Sequence, residues 1–104
     1  AVTALSGSGP AYVFLLAEVM AAAGEKLGLP ADLCVHLARQ TVIGAGALIA
    51  AEPTTDAGQL RRNVTSKGGT TAAALAVLQA DDGLQPVFDR ALRAARDRGR
   101  ELDS

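Results

Sequence analysis

Thr65-Ser66-Lys67-Gly68-Gly69-Thr70-Thr71 interrupts two helix-like runs built mainly from Ala, Leu and Val. Small hydroxyl residues, one cation and a glycine pair replace the apolar texture, and a helical pattern resumes at once through Leu75 and Leu78. Two glycines let a backbone approach a ligand closely. The start of the next helix presents N–H groups with no intrahelical partner. Together they favour a carboxylate or a phosphate. An ordinary helix–helix turn has the same local signature, because Gly-Gly is a common turn dipeptide.

Working outward, the downstream run from about Thr70 to Ala80 is almost wholly apolar, and Asp81-Asp82-Gly83 marks a turn. Leu84, Val87, Phe88, Ala91, Leu92 and Ala95 then recur at helical spacing, which predicts an amphipathic last helix. Its arginines, from Arg90 to Arg100, alternate with Asp89, Asp97 and Glu101, so a solvated face is expected rather than a nucleic-acid stripe. Asp89 stands four residues before Arg93, a spacing that favours an ion pair. Upstream, Thr54-Thr55-Asp56 can cap a short helix carrying Ala57, Leu60 and Val64 inward, with Arg61 and Arg62 outward and Asn63 at its end.

Further upstream, Pro30 opens a helix that Glu52-Pro53 closes. Asp32, His36, Arg39 and Gln40 make one wet face, Cys34 is a small core residue, and Gly44 and Gly46 predict close approach of a neighbouring helix. Before it, Pro10 starts a helix whose stretch from Ala11 to Gly24 carries one charge, Glu18, and which is therefore expected to be buried on most sides. Ser6-Gly7-Ser8-Gly9 reads as a loop after the last turn of an earlier helix. No β-alternation occurs, so the fold class is all-α: a bundle of about five helices, taken as one domain over residues 1–104.

Composition narrows the function classes. Hydrophobic residues make up 49% but aromatics only 3%, so close helix packing on small side chains replaces a bulky core. A chain this short buries a limited share of its surface, and its surplus apolar area predicts a partner, a second copy being one candidate. The net charge of −1 calls for neither nucleic acid nor an anionic membrane. One cysteine excludes an internal disulfide, and one Cys with one His cannot make a zinc site of usual composition. His36 on a wet helix face offers no Ser-His-Asp set. No signal-peptide pattern appears, and the uncharged run from Gln40 to Ala51 is short for a bilayer span. The expectation is a soluble, cytoplasmic protein with no membrane partner. The start Ala-Val-Thr-Ala-Leu, without Met, predicts a piece of a longer polypeptide. Neither hydroxyl loop carries a strong acid or base, so any catalysis would rest on positioning, with reactive chemistry from a cofactor.

Three motifs in this order and spacing resemble Δ1-pyrroline-5-carboxylate reductases. They are Leu5-Ser6-Gly7-Ser8-Gly9-Pro10-Ala11-Tyr12, Lys26-Leu27-Gly28-Leu29-Pro30, and Asn63-Val64-Thr65-Ser66-Lys67-Gly68-Gly69-Thr70-Thr71; the ending Arg100-Glu101-Leu102 also agrees. The resemblance covers essentially the whole chain and corresponds to the family's C-terminal helical domain. It implies a homodimer, or a higher oligomer, with interlocking helices that supplies the site for pyrroline-5-carboxylate, reduced to proline with NADPH or NADH. It also implies that the Rossmann domain binding most of the cofactor lies outside this chain, so that the chain alone is inactive. Carried over by position, Ser66 and the backbone of Gly68, Gly69 and Thr70 hold the substrate carboxylate. Thr71 places its hydroxyl on the ring nitrogen as the catalytic residue, and Asn63, Ser8 and Gly9 line the nicotinamide side. No metal is implied. The family commonly has Pro where this chain has Lys67. Two other readings stay open: a non-catalytic helical dimerisation module, and the helical domain of a related imine or hydroxyacid reductase.

Overall fold

The computed structural model describes residues 1–103. Among these there are five α-helices and no strand: α1 Gly9–Lys26, α2 Ala31–Ala51, α3 Ala57–Asn63, α4 Thr70–Leu78 and α5 Leu84–Asp103, preceded by a π-helical turn at Thr3–Gly7. The all-α expectation holds. The chain divides into two compact units, residues 9–54 and residues 1–8 with 55 onward.

The first unit is the hairpin of α1 and α2. Pro10 stands in the first turn of α1, where its missing N–H costs nothing. The helix stops at Gly28, whose φ of 98° only glycine adopts readily. Gly28 donates its N–H to the Glu25 carbonyl at 2.9 Å, and Leu29 reaches back to Gly24 at 3.4 Å, so freed carbonyls at the helix end find partners. Pro30 then precedes α2. Cys34 is buried as expected. Its sulfur would lie 3.1 Å from a Cβ placed on Gly24, which makes Gly24 the close-approach glycine between the two helices. Gly44 and Gly46, expected in that role, face open space within the chain.

The second unit holds the π-helical turn, α3, α4 and α5, with the turn packed against α5. Ser6 to Ser8 was expected to be a loop; it is wound. Ser8 donates to the Thr3 carbonyl at 2.8 Å, five residues back, and the Ser6 hydroxyl donates to the Val2 carbonyl at 3.0 Å. Asp56 caps α3 as expected, accepting the Gln59 N–H at 2.7 Å. Of the three side chains expected inward on α3, Leu60 is buried at 8% exposure, whereas Val64 is 63% exposed and Ala57 is also exposed. Val64 lies past the helical residues, so helical spacing no longer aims it. Asp89 pairs with Gln85 at 2.9 Å rather than with Arg93, and the α5 surface is laced instead by Arg98–Glu101 and Arg96–Asp97 at 2.8 and 3.1 Å. Such exposed pairs contribute little to stability.

Very little of the apolar content is covered. Ala4, Cys34, Ala38 and Leu60 are the buried hydrophobics, and α1 contains no buried residue although Phe14 and Leu15 lie on it at 69% and 57% exposure. The chain exposes 8043 Å², against about 5,400 Å² for a folded monomer of its mass. By length and hydropathy, Thr3–Lys26 and Ala31–Ala51 are each long and apolar enough to cross a membrane. The short uncharged run Gln40–Ala51 understated this, because α2 tolerates Asp32 and Arg39 within its length. A groove of about 450 Å³ between α1 and α2 is lined by Val13, Phe14, Ala17, Ala21, Val35, Val42 and Ile43, with Glu18 and Arg39 beside them.

Candidate functional site

The connection from α3 to α4 is built by local hydrogen bonds. The Thr65 hydroxyl donates to the Arg61 carbonyl at 2.6 Å and its N–H to Arg62 at 3.1 Å, which finishes α3. Ser66 to Gly69 then close a turn: the Gly69 N–H donates to the Ser66 carbonyl at 3.1 Å, and Gly68 sits at φ 73°. A positive φ at the third residue is the mark of a type II turn, and it is why glycine is needed there. Gly69 is the N-cap of α4, with φ −87° and ψ −174°, and supplies no side-chain cap. The first helical bond runs from the Ala73 N–H to the Gly69 carbonyl at 3.2 Å.

This arrangement fixes the donors. The Gly69 N–H is used by the turn, so the N–H groups left without an intrahelical acceptor are those of Thr70, Thr71 and Ala72. Ala72 carries no side-chain signal, and only the helix start, once placed, identifies it. No acidic residue stands in the first turn of α4. The helix dipole adds positive potential at the same point.

The hydroxyls separate into two kinds. Those of Ser6, Thr41 and Thr65 donate to carbonyls four residues back in their own helices. Among the described residues, the hydroxyls of Ser66 and Thr71 have no such bond and stand on exposed positions beside the open N–H groups. Lys67 is the only charge in the stretch Thr65–Thr71. The structure therefore brings Ser66, Gly68, Gly69, Thr70 and Thr71 into one short connection. Asn63 ends α3 and is held through its side-chain oxygen, which accepts from Gln59 at 2.7 Å. Ser8 follows the π-helical turn and Gly9 opens α1. Among the described residues no group of three or more His, Cys, Asp or Glu side chains could hold a metal ion.

Comparison with known proteins matches the chain to a family. The family described as pyrroline-5-carboxylate reductase dimerisation matches residues 1–102. The chain belongs to the pyrroline-5-carboxylate reductase dimerisation family. Among its relatives, the pyrroline-5-carboxylate reductase of Pseudomonas aeruginosa is 49% identical over 102 residues, covering 98% of this chain and 37% of the relative. That of Glycine max is 45% identical, covering 98% and 36%. The solved structure of a pyrroline-5-carboxylate reductase from Coxiella burnetii superimposes with a TM-score of 0.86 at 48% identity, covering 97% of this chain and 37% of that one. The Plasmodium falciparum pyrroline carboxylate reductase, solved with NADP bound, gives 0.86 at 34% identity, covering 98% and 38%. The chain thus spans little more than a third of the length of the relatives it matches.

Proposed function

We propose that this chain is the substrate-binding and dimerisation part of a pyrroline-5-carboxylate reductase, a soluble cytoplasmic oxidoreductase of proline biosynthesis that makes proline from pyrroline-5-carboxylate with NADPH or NADH. The observation that carries the reading is the start of α4. The N–H groups of Thr70 to Ala72 without an intrahelical acceptor, no internal carboxylate, and the exposed hydroxyls of Ser66, Thr70 and Thr71 stand in a connection whose backbone a turn has fixed. A substrate carboxylate fits there as an external cap, in charge-assisted hydrogen bonds worth about 1.5–3 kcal/mol each.

Within this reading the residues divide the work. Ser66, the turn at Gly68-Gly69 and the N–H groups of Thr70 to Ala72 bind the carboxylate. The Thr71 hydroxyl, one turn position further, bonds the ring nitrogen and orients the imine. Both tasks are positioning, which suits a connection without a strong acid or base. The cofactor supplies the reducing equivalent when bound. The described residues contain no strand, so the strand–Gly-rich turn–helix arrangement that holds a dinucleotide pyrophosphate is not built by them. Ser8, Gly9 and Asn63 would contribute only to the nicotinamide side.

The exposed apolar surface is read as the interface with a second copy, and the two compact units act together as one dimerisation and substrate domain. The surface excess over a folded monomer, about 2,600 Å² per chain, is of the size that obligate dimers bury. Gly44 and Gly46, open within the chain, would then admit a helix of the partner. A lipid surface accounts less well for Glu18 and Arg39 beside the α1–α2 groove.

Replacing Thr71 by Val in the full-length reductase tests the catalytic assignment. Turnover should fall about 100-fold, the scale expected when a reacting group loses its alignment. The dimer should persist by sedimentation. Undiminished turnover would leave a helical dimerisation module with no role in the reaction.

A further inference from the structure

Two adjacent glycines in the α3–α4 connection are there for different reasons. Gly68 has φ 73°, and a Cβ placed on it would meet nothing within 4 Å. Its requirement is conformational. Gly69 has φ −87° and ψ −174°, an extended conformation open to every residue type. Its requirement is spatial: a Cβ there would lie 2.5 Å from the Ser66 Oγ, 3.4 Å from the Ser66 carbonyl oxygen and 3.7 Å from the Ser66 Cβ.

We propose that Gly69 is a positioning residue for the Ser66 hydroxyl, which stands in the space that a side chain at 69 would fill. The inference rests on the reading of Ser66 as a ligand of the substrate carboxylate. Of the atoms that a Cβ would meet, the backbone oxygen and the Ser66 Cβ are at ordinary contact distance. The one severe clash is with the end of a side chain that turns on a single bond. Ala at 69 therefore leaves the turn and α4 in place and swings the Ser66 hydroxyl out of its position. The substitution removes Ser66 function without touching Ser66, while the N–H groups of Thr70, Thr71 and Ala72 remain.

The test is a double-mutant cycle in the full-length reductase: Ser66→Ala, Gly69→Ala and the pair, with kcat and KM measured for pyrroline-5-carboxylate. Ser66→Ala and Gly69→Ala should each raise KM about tenfold, the loss of one hydrogen bond to a charged group. kcat should stay within twofold, and the double variant should be no worse than either single one. Multiplicative effects, or a Gly69→Ala enzyme with unchanged KM beside an impaired Ser66→Ala enzyme, overturn the proposal. An unchanged KM in Ser66→Ala would instead remove the carboxylate role of Ser66 itself. Thermal unfolding covers the case in which Gly69→Ala folds poorly. Adding Ser66→Ala should then restore the melting temperature, because it deletes the clashing atom; failure to restore it also overturns the proposal.

Discussion

The starts of α3 and α4 lie thirteen residues apart in the chain and solve the same problem in opposite ways. α3 carries its own carboxylate: Asp56 accepts the Gln59 N–H at 2.7 Å. α4 begins at a glycine that offers no cap, has no acid in its first turn, and follows a turn that consumes the Gly69 N–H but not those of Thr70, Thr71 and Ala72. α3 is thereby complete without a ligand. α4 goes without a side-chain cap, and because glycine is itself tolerated at an N-cap this costs only about a few tenths of a kcal/mol relative to Asp. The open N–H groups at the start of α4, rather than lost stability, are what the proposed carboxylate site uses.

The sharpest way to break the contrast is to give α4 the residue that α3 has. Gly69→Asp should cap α4 from within and place a fixed carboxylate where the substrate's belongs. KM in the full-length reductase should rise about 100-fold, since a like charge now occupies the site and the hydroxyl of Ser66 is displaced as well. Gly69→Ala is the control, sharing the steric change without the charge. Equal KM values for the two variants would show that no anion is recognised at the start of α4.

The reverse change has a smaller effect and a different readout. Asp56→Ala removes the cap of α3 and should cost about 1 kcal/mol of stability, measured by denaturant unfolding. The Asp56–Arg62 pair, at 4.0 Å and largely exposed, adds little to that. KM should not change. A rise in KM comparable to that of Ser66→Ala would mean that the two helix starts are coupled, and that the division into a structural and a functional terminus is wrong.

The contrast also shows what a sequence discloses. Asp56 before a helical run, Pro10 and Pro30 at helix starts and Gly28 at a helix end are chemical requirements of single positions, and each is where the pattern places it. The hydroxyl pair Ser66 and Thr71 was visible as residue types in a break between helices. The bonding state of the backbone was not. That the Gly69 N–H is spent and the Ala72 N–H is open follows from the turn that Gly68 permits. Ser6 to Ser8 looked like a loop because small residues and glycine favour one; the π-helical turn that forms instead packs on α5, a contact from far along the chain. The apolar faces of α1 and α2 were legible as surfaces to be covered, whereas side chains such as Phe14, Leu15 and Ile43 on them are exposed.

Lys67 refines the comparison by the smallest margin. It is the second residue of the Ser66–Gly69 turn, where proline is favoured, and it is the only charge in the stretch Thr65–Thr71. The expected exchange is less loop order for more attraction. Lys67→Gln removes the charge alone and should raise KM two- to threefold at low ionic strength, with the difference from the parent vanishing as salt screens it. Lys67→Pro removes the same charge but pre-sets the turn, worth about 0.4–1 kcal/mol through the unfolded chain. It should raise the melting temperature and flatten the salt dependence of KM as Lys67→Gln does. If Lys67→Pro instead tightens substrate binding and keeps the parent's salt sensitivity, Lys67 contributes nothing electrostatic to the site. The open start of α4 would then attract its anion through backbone N–H groups and the Ser66 hydroxyl alone.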